Sequence, residues 1–305
     1  MVNTKPMEAF AAAQQIEGLT APSLKSVMEK KPGYTVERAR RFLEFQCRIN
    51  NELLKHPIIT NNEYTRWFSQ GDLSKENVQA FVIQFSVFSN LFLIAQLKKT
   101  INADTIEGMR ASKEILANEI GVIFKKPDSN AKKITNESGI DAELVSAEGS
   151  VEGGTFHFRA AHFEWLLRMA EQIDLGFNDL GKRSHGTEST LFFCDELSRL
   201  YGSEDYMVSQ ASSYAVENWA AAGFWDELVT GFTRYNQNTQ SNLTLAFFTW
   251  HAKIEAQHAA HTQEELEELY FEREIDEDKF IKDGNEMLKG VLAFWTGLNS
   301  QRLNS

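Results

Sequence analysis

Only five prolines and two cysteines occur in the 305 residues, and glycine is modest at 18. So few helix breakers, beside abundant Ala, Leu, Glu, Gln and Lys, exclude a turn-rich β architecture and predict an all-α fold. Cys47 and Cys194 are too few for a disulfide framework and stand in no C-x-x-C pair. We expect both to be structural thiols in a reducing compartment. Positive charge is also in short supply, with 31 Lys and Arg against 43 Asp and Glu and a net charge of −12. Nucleic-acid phosphates would be repelled, so no nucleic-acid partner is expected. No apolar run approaches the ~20 residues of a membrane span. The N-terminus lacks the basic-then-apolar pattern of a signal peptide. The expectation is a soluble, cytoplasmic protein with no membrane partner. Strand-like alternation, internal repeats and low-complexity tracts are missing too.

What is plentiful is core material: 42% of residues are hydrophobic, and 22 are Phe. Residues 1–33 read as a peripheral segment, with an amphipathic Met7–Ile16, a helix start at Thr20–Ala21–Pro22 and a stop at Lys31–Pro32–Gly33. The main domain, 34–305, opens with helices over Thr35–Lys55 and Asn61–Gln70. Val78–Thr100 follows, apolar over more than half its circumference through residues such as Phe81, Phe85, Phe88 and Phe92, and therefore central. Ala103–Phe124 is predicted helical. The texture then changes at Lys125–Gly154, which has no sustained period and is rich in Ser, Gly and charge. It is either a domain boundary or a long mobile insertion. The similar apolar character of the helices on both sides favours a single domain with an insertion. Helices resume at Phe156–Leu175, Glu188–Tyr201, Asp205–Ala222, Phe224–Asn236, Leu245–Thr262 and Asp276–Leu298.

Within Leu245–Thr262, His251, Glu255 and His258 are spaced four and three residues apart. On a helix their side chains fall within roughly 60° of one another, and two imidazoles with a carboxylate form a metal-ligand set. Partners must come from other helices. Of the two histidines at 157 and 162, which lie on different faces, His162 has the apolar neighbours Phe158, Phe163 and Leu166. It is the preferred candidate, the plainer alternative being a core histidine bonded to a backbone carbonyl. Glu217 is the only acid between Tyr206 and Trp225, and Glu119 lies among Ile115, Leu116, Ile120 and Val122. A buried acid needs neutralising, by a metal or by an arginine such as Arg110, Arg159 or Arg168. Glu119, His162, Glu217, His251, Glu255 and His258 together offer three carboxylates and three imidazoles. That mix suits two iron or manganese ions in a helical core. The ferritin-like scaffold would need two Glu-x-x-His motifs, and this chain has one, Glu255-Ala-Gln-His258.

These residues resemble the haem-oxygenase-like di-iron oxidases, relatives of the thiaminase and pyrroloquinoline-quinone-synthase fold. That family has a Glu and a His on early core helices, a second Glu about fifty residues on, and His-x-x-x-Asp/Glu-x-x-His some thirty later. Here His162 precedes Glu217 by 55 positions, Glu217 precedes His251 by 34, and His251-x-x-x-Glu255-x-x-His258 closes the set. The similarity spans roughly residues 50–300. Two departures stand out: Glu119 and His162 are 43 apart instead of around ten or fewer, and position 255 is Glu where relatives often have Asp. The first makes Lys125–Gly154 an insertion between two ligands. The resemblance implies a haem-oxygenase-like bundle, two iron ions with O2 as co-substrate, and a small metabolite substrate, nitrogen-containing by analogy. It implies either N-oxygenation of an amine or guanidine-like group or oxidative C–C or C–N cleavage of an amino or fatty acid, and leaves a homodimer open. The rival readings are a metal-free enzyme of the same fold and a non-catalytic helical interaction protein with a vestigial site. Trp165, Trp219, Phe224, Trp225 and Phe248 are candidates for an apolar pocket wall, or are plain core.

Overall fold

In the computed structural model the described residues are 5–124, 154–156 and 161–304, with the side chains of 5, 123–124, 154–156 and 254–261 excepted. The described residues are all-α apart from one short ribbon. Helices α1 (Lys5–Gln14) and α2 (Ala21–Met28) precede α3 (Val36–Glu52), the one-turn α4 (Pro57–Thr60) and α5 (Glu63–Phe68). The long α6 (Lys75–Ile101) is followed by α7 (Ile106–Glu119) and by strands β1 (Val122–Phe124) and β2 (Gly154–Phe156). After these come α8 (His162–Glu171), α9 (Glu188–Glu196) with a π-helical extension over Leu197–Tyr201, and α10 (Tyr206–Ala220). Helices α11 (Phe224–Thr239), α12 (Ala246–Glu272) and α13 (Glu277–Leu303) complete the chain.

Helix α6 is set by its ends and its face. Ser74 and Asn77 exchange hydrogen bonds in a capping box, and Lys98 and Lys99 sit in the last turn, where positive charge suits the helix dipole. Its Val78, Phe81, Val82 and Phe85 are fully buried, against Phe248 of α12 and Phe294 and Trp295 of α13. By length and composition alone α6 is also apolar enough to cross a bilayer, which the sequence reading did not anticipate; half of its apolar window is buried within the protein. Its buried glutamines tie the surrounding segments in place. Gln84 donates to the His185 carbonyl and accepts from Thr187 N, both at 2.8 Å. Gln96 donates to Ser112 of α7 at 2.8 Å and accepts from the Tyr201 hydroxyl at 2.7 Å. Ser112 thus fixes α7 against α6.

The N-terminal segment has a small core of its own. Ala11, Ile16, Leu24 and Val27 pack on Ala39 of α3 and Phe271 of α12. Glu267 of α12, fully buried, accepts from Thr20 N and from Thr20 Oγ1 at the start of α2, and from Gln263.

The structure corrects three helix expectations. Ala103–Phe124 is not one helix: α7 stops at Glu119, and Gly121 takes a left-handed conformation (φ 100°) that a side chain would disfavour. Val122-Ile-Phe, β-branched and aromatic, then pairs with Gly154-Thr-Phe156 in antiparallel register, Val122 opposite Phe156 and Phe124 opposite Gly154. Accordingly Phe156 is a strand residue, and the next helix begins at His162 rather than at Phe156. Helix α12 also runs ten residues past Thr262, to Glu272. The insertion expected at 125–154 lies outside the described residues except for Gly154 in β2.

Candidate metal centre

Three of the six expected ligands meet. One donor atom each from Glu119, His162 and His251 lies within 4.8 Å of the others. Donors sharing one ion at bonds of about 2.0–2.2 Å stand about 3–4 Å apart, so a small contraction would close this group on an ion. The three residues come from three elements: the last residue of α7, the first of α8 and the second turn of α12. His162 and His251 are buried and Glu119 nearly so.

His251 is oriented by its own helix. Its Nδ1–H donates to the Phe247 carbonyl one turn earlier at 2.7 Å. A carbonyl only accepts, so this bond fixes the tautomer in which Nε2 carries the lone pair, the second contact that metal-bound histidines characteristically make. Trp225 stacks on the imidazole at 4.5 Å, and Trp250 stands edge-on to it and to His162. Trp165 stacks on His162. These rings keep water from the imidazoles, which strengthens any charge interaction between them.

His162 and Glu119 are closer still. Nδ1 of His162 is 2.8 Å from Oε2 of Glu119, yet the pair lacks hydrogen-bond geometry and the buried Nδ1 has no hydrogen-bond partner. Both residues also sit at the unfavourable helix end for a charge of their own. A carboxylate at the C-terminus of α7 meets partial negative charge, and an imidazolium at the N-terminus of α8 would meet partial positive charge. A cation lodged between a carboxylate and a neutral imidazole removes both conflicts. Among the described residues the ion-pair partner of Glu119 is His162, not the arginine that the alternative reading required.

Glu217 is not in the group of three but lines the same cavity. That cavity, of about 80 Å3, is bounded by Glu119, His162, Glu217 and His251, with Asn118 and Ser89 as the other polar groups. Glu217 is buried on α10 between Val216 and Ala220, which also line the cavity. The side chains of Glu255 and His258 lie outside the described residues; the helix that carries them is continuous.

Sequence reasoning left five aromatics as either wall or core: Trp219 and Trp225 line the cavity, whereas Trp165 does not and stacks on His162 instead, and Phe224 and Phe248 belong to the core. It missed Trp250 and the contribution of Phe85, Phe88 and Phe92 from α6. The signal was available in the second case, since the apolar face of α6 is wider than one neighbour can cover. Trp250 gave no signal, because an aromatic beside a ligand histidine is equally at home in a core.

No family model matches the chain, and no curated protein matches it. What is established is therefore an all-α protein with a buried Glu/His/His group able to hold a metal ion.

Proposed function

We propose that this chain is an O2-activating non-haem di-iron oxidase or oxygenase with a haem-oxygenase-like bundle, acting on a small, nitrogen-containing metabolite by N-oxygenation or oxidative cleavage. The observation that carries the reading is the convergence of Glu119, His162 and His251 in a buried, aromatic-walled cavity that Glu217 also lines. Carboxylate-rich ligation favours the higher oxidation state of iron, and the chemistry iron supplies when bound is the activation of O2. Glu119, His162, Glu217 and His251 would hold it, with Glu255 and His258 of α12 completing two sites.

The residues themselves do the rest. The Phe247 carbonyl holds His251 in its ligating tautomer, Trp165, Trp225 and Trp250 exclude water, and the phenylalanines of α6 supply an apolar bed for substrate. A second reading rests on a specific observation. The three converged donors form a two-histidine, one-carboxylate set, which suits a single Fe(II). Anaerobic Fe(II) loading with elemental analysis decides between the two. We expect close to two irons per chain, and O2 uptake by the loaded protein. One iron at saturation replaces the dinuclear reading with the mononuclear one. No iron, with no O2 uptake, rejects both.

A further inference from the structure

A second recess, of about 380 Å3, lies at the start of α6 and shares no residue with the metal cavity. Its volume is that of a small-molecule site. The polar groups on its wall are Tyr64 of α5, Ser74, Glu76 and Asn77 around the first turn of α6, and Gln301 and Arg302 of α13. Tyr64 is only 3% exposed, its ring packed against Trp67, Phe68, Phe81 and Trp295. Its hydroxyl makes no hydrogen bond among the described residues, yet it is not sealed in as the unbonded indole N–H groups of Trp219 and Trp295 are. The hydroxyl is therefore the part of Tyr64 that meets the recess. Burial pushes this phenol above its ordinary range, so it is a donor in want of an acceptor.

Arg302 supplies a charge beside it. The guanidinium lies 4.4 Å from the centre of the Trp67 ring, and its Nε donates to Asn299 Oδ1 at 2.7 Å. These contacts set the plane of the fork and leave its terminal nitrogens for a bidentate partner. Its charge acts on the Tyr64 hydroxyl, so cation and phenol address the same space. Asn77 spends Oδ1 on Ser74 N and keeps its Nδ2. The first turn of the 27-residue α6 adds partial positive charge. Glu76 is the one acid on the lining. Its exposed carboxylate is engaged by its own N–H and by the Ser74 hydroxyl, which lower its pKa.

We propose that this recess binds a small phosphate monoester, its phosphate held by Arg302, Tyr64 and Asn77 at the start of α6. Donors from three helices, grouped around a helix N-terminus, suit a tetrahedral group with several acceptor oxygens better than a flat carboxylate. Ser74 and Gln301 suit a body that bears hydroxyls, and Ala80 and Leu298 give it one apolar side. The site stands whether or not the chain binds iron.

The test uses full-length protein under chelator, so that phosphate on a metal cannot contribute. Glycerol 3-phosphate, ribose 5-phosphate, glycerol, ribose, glycerate and inorganic phosphate are titrated calorimetrically. At least one of the two esters is expected to bind ~10-fold or more tightly than its unphosphorylated parent, and more tightly than glycerate or inorganic phosphate. Arg302→Gln should remove that preference. Tyr64→Phe should weaken the ester several-fold at an unchanged unfolding midpoint, because the hydroxyl has no partner to lose in the free protein. Glu76→Gln should tighten binding by removing the like charge. Esters that bind no better than their parents overturn the proposal. So does glycerate or inorganic phosphate matching the better ester, or an ester affinity that Arg302→Gln and Tyr64→Phe leave unchanged. Should Arg302→Gln fail to fold, phenylglyoxal modification of wild type read by peptide mass decides. The better-bound ester must protect Arg302, and modification at the unprotected rate rejects the site.

Discussion

Glu119 illustrates at the scale of one residue how a site can oppose the stability of the element that bears it. A carboxylate at a helix C-terminus is unfavourable by roughly 0.3–1 kcal/mol when nothing offsets it. Glu119→Gln should therefore lose at least one metal equivalent on iron loading, and yet leave the metal-free protein as stable as wild type or more so. Urea unfolding under chelator, beside elemental analysis, reads both signs; a metal-free variant clearly less stable than metal-free wild type would contradict this account. His162→Ala and His251→Ala should also lose metal, but leave holes among Trp165, Trp225 and Trp250 and so lower stability as well. His56 gives a pH signature away from the site. Burial lowers its pKa, with Lys289 adding to the effect, and its neutral Nδ1 accepts from Ile58 N at the start of α4. A depressed folded-state value means that its contribution is present above the unfolded value of about 6.5 and is lost as pH falls toward the folded one. We expect wild type to weaken over that window more than His56→Asn, whose amide oxygen can cap without titrating. Unfolding midpoints between about pH 5.5 and 7.5 test it (a range of about one unit either side of the unfolded value), and parallel pH profiles would rule it out.

Among the elements, those with strong apolar faces were legible from sequence: α3, α6, α10 and α13 lie close to where their patterns put them, and α12 starts where expected but runs on to Glu272. His251 and Glu217 were legible for the same reason, since each is a polar residue in an apolar stretch of a long helix. The chain between α7 and α8 was not. A three-residue ribbon is too short to show alternation, and Gly121 stops α7 inside what looks like a continuing helical pattern. His162 was found by its apolar neighbours, although its place as the first residue of α8 was hidden. The tether between α12 and α2 was equally invisible, because Glu267 sits in an acidic run that looks solvated. Its carboxylate in fact satisfies Thr20 N and Oγ1 in a fully buried position. Glu267→Ala should cost about 1–3 kcal/mol through the donors left unpaired, and should expose the α1–α2 segment to limited proteolysis before the rest of the chain. Cleavage there at the wild-type rate would show that the small N-terminal core holds without it. Gly231→Ala probes another junction, since a Cβ there would stand 2.3 Å from the Phe68 carbonyl oxygen. It should separate α11 from α5 and lower the unfolding midpoint.

For the whole molecule, a metal held by the three converging donors would couple folding to loading, because those donors come from helices far apart in sequence. Metal bound only by the folded form adds about 2.7 kcal/mol of stability at a hundredfold excess over Kd. Calorimetric scans with Fe(II) under argon and with chelator should differ accordingly, and coincident transitions would dissociate the metal from the fold. The β1–β2 ribbon has a consequence of another kind. Phe124 and Gly154 are partners in its last pair, so the two ends of the 125–153 stretch stand side by side. What is spliced in at that point is, for the ligand geometry, a free parameter: loop-closure entropy changes only slowly with length. Replacing residues 125–153 with Asn-Gly, the tight turn that suits an antiparallel pair, should leave Glu119 beside His162 and metal content intact. In evolutionary terms the ribbon is a port, a position at which a lineage can gain or shed sequence without renegotiating the Glu119–His162 pairing.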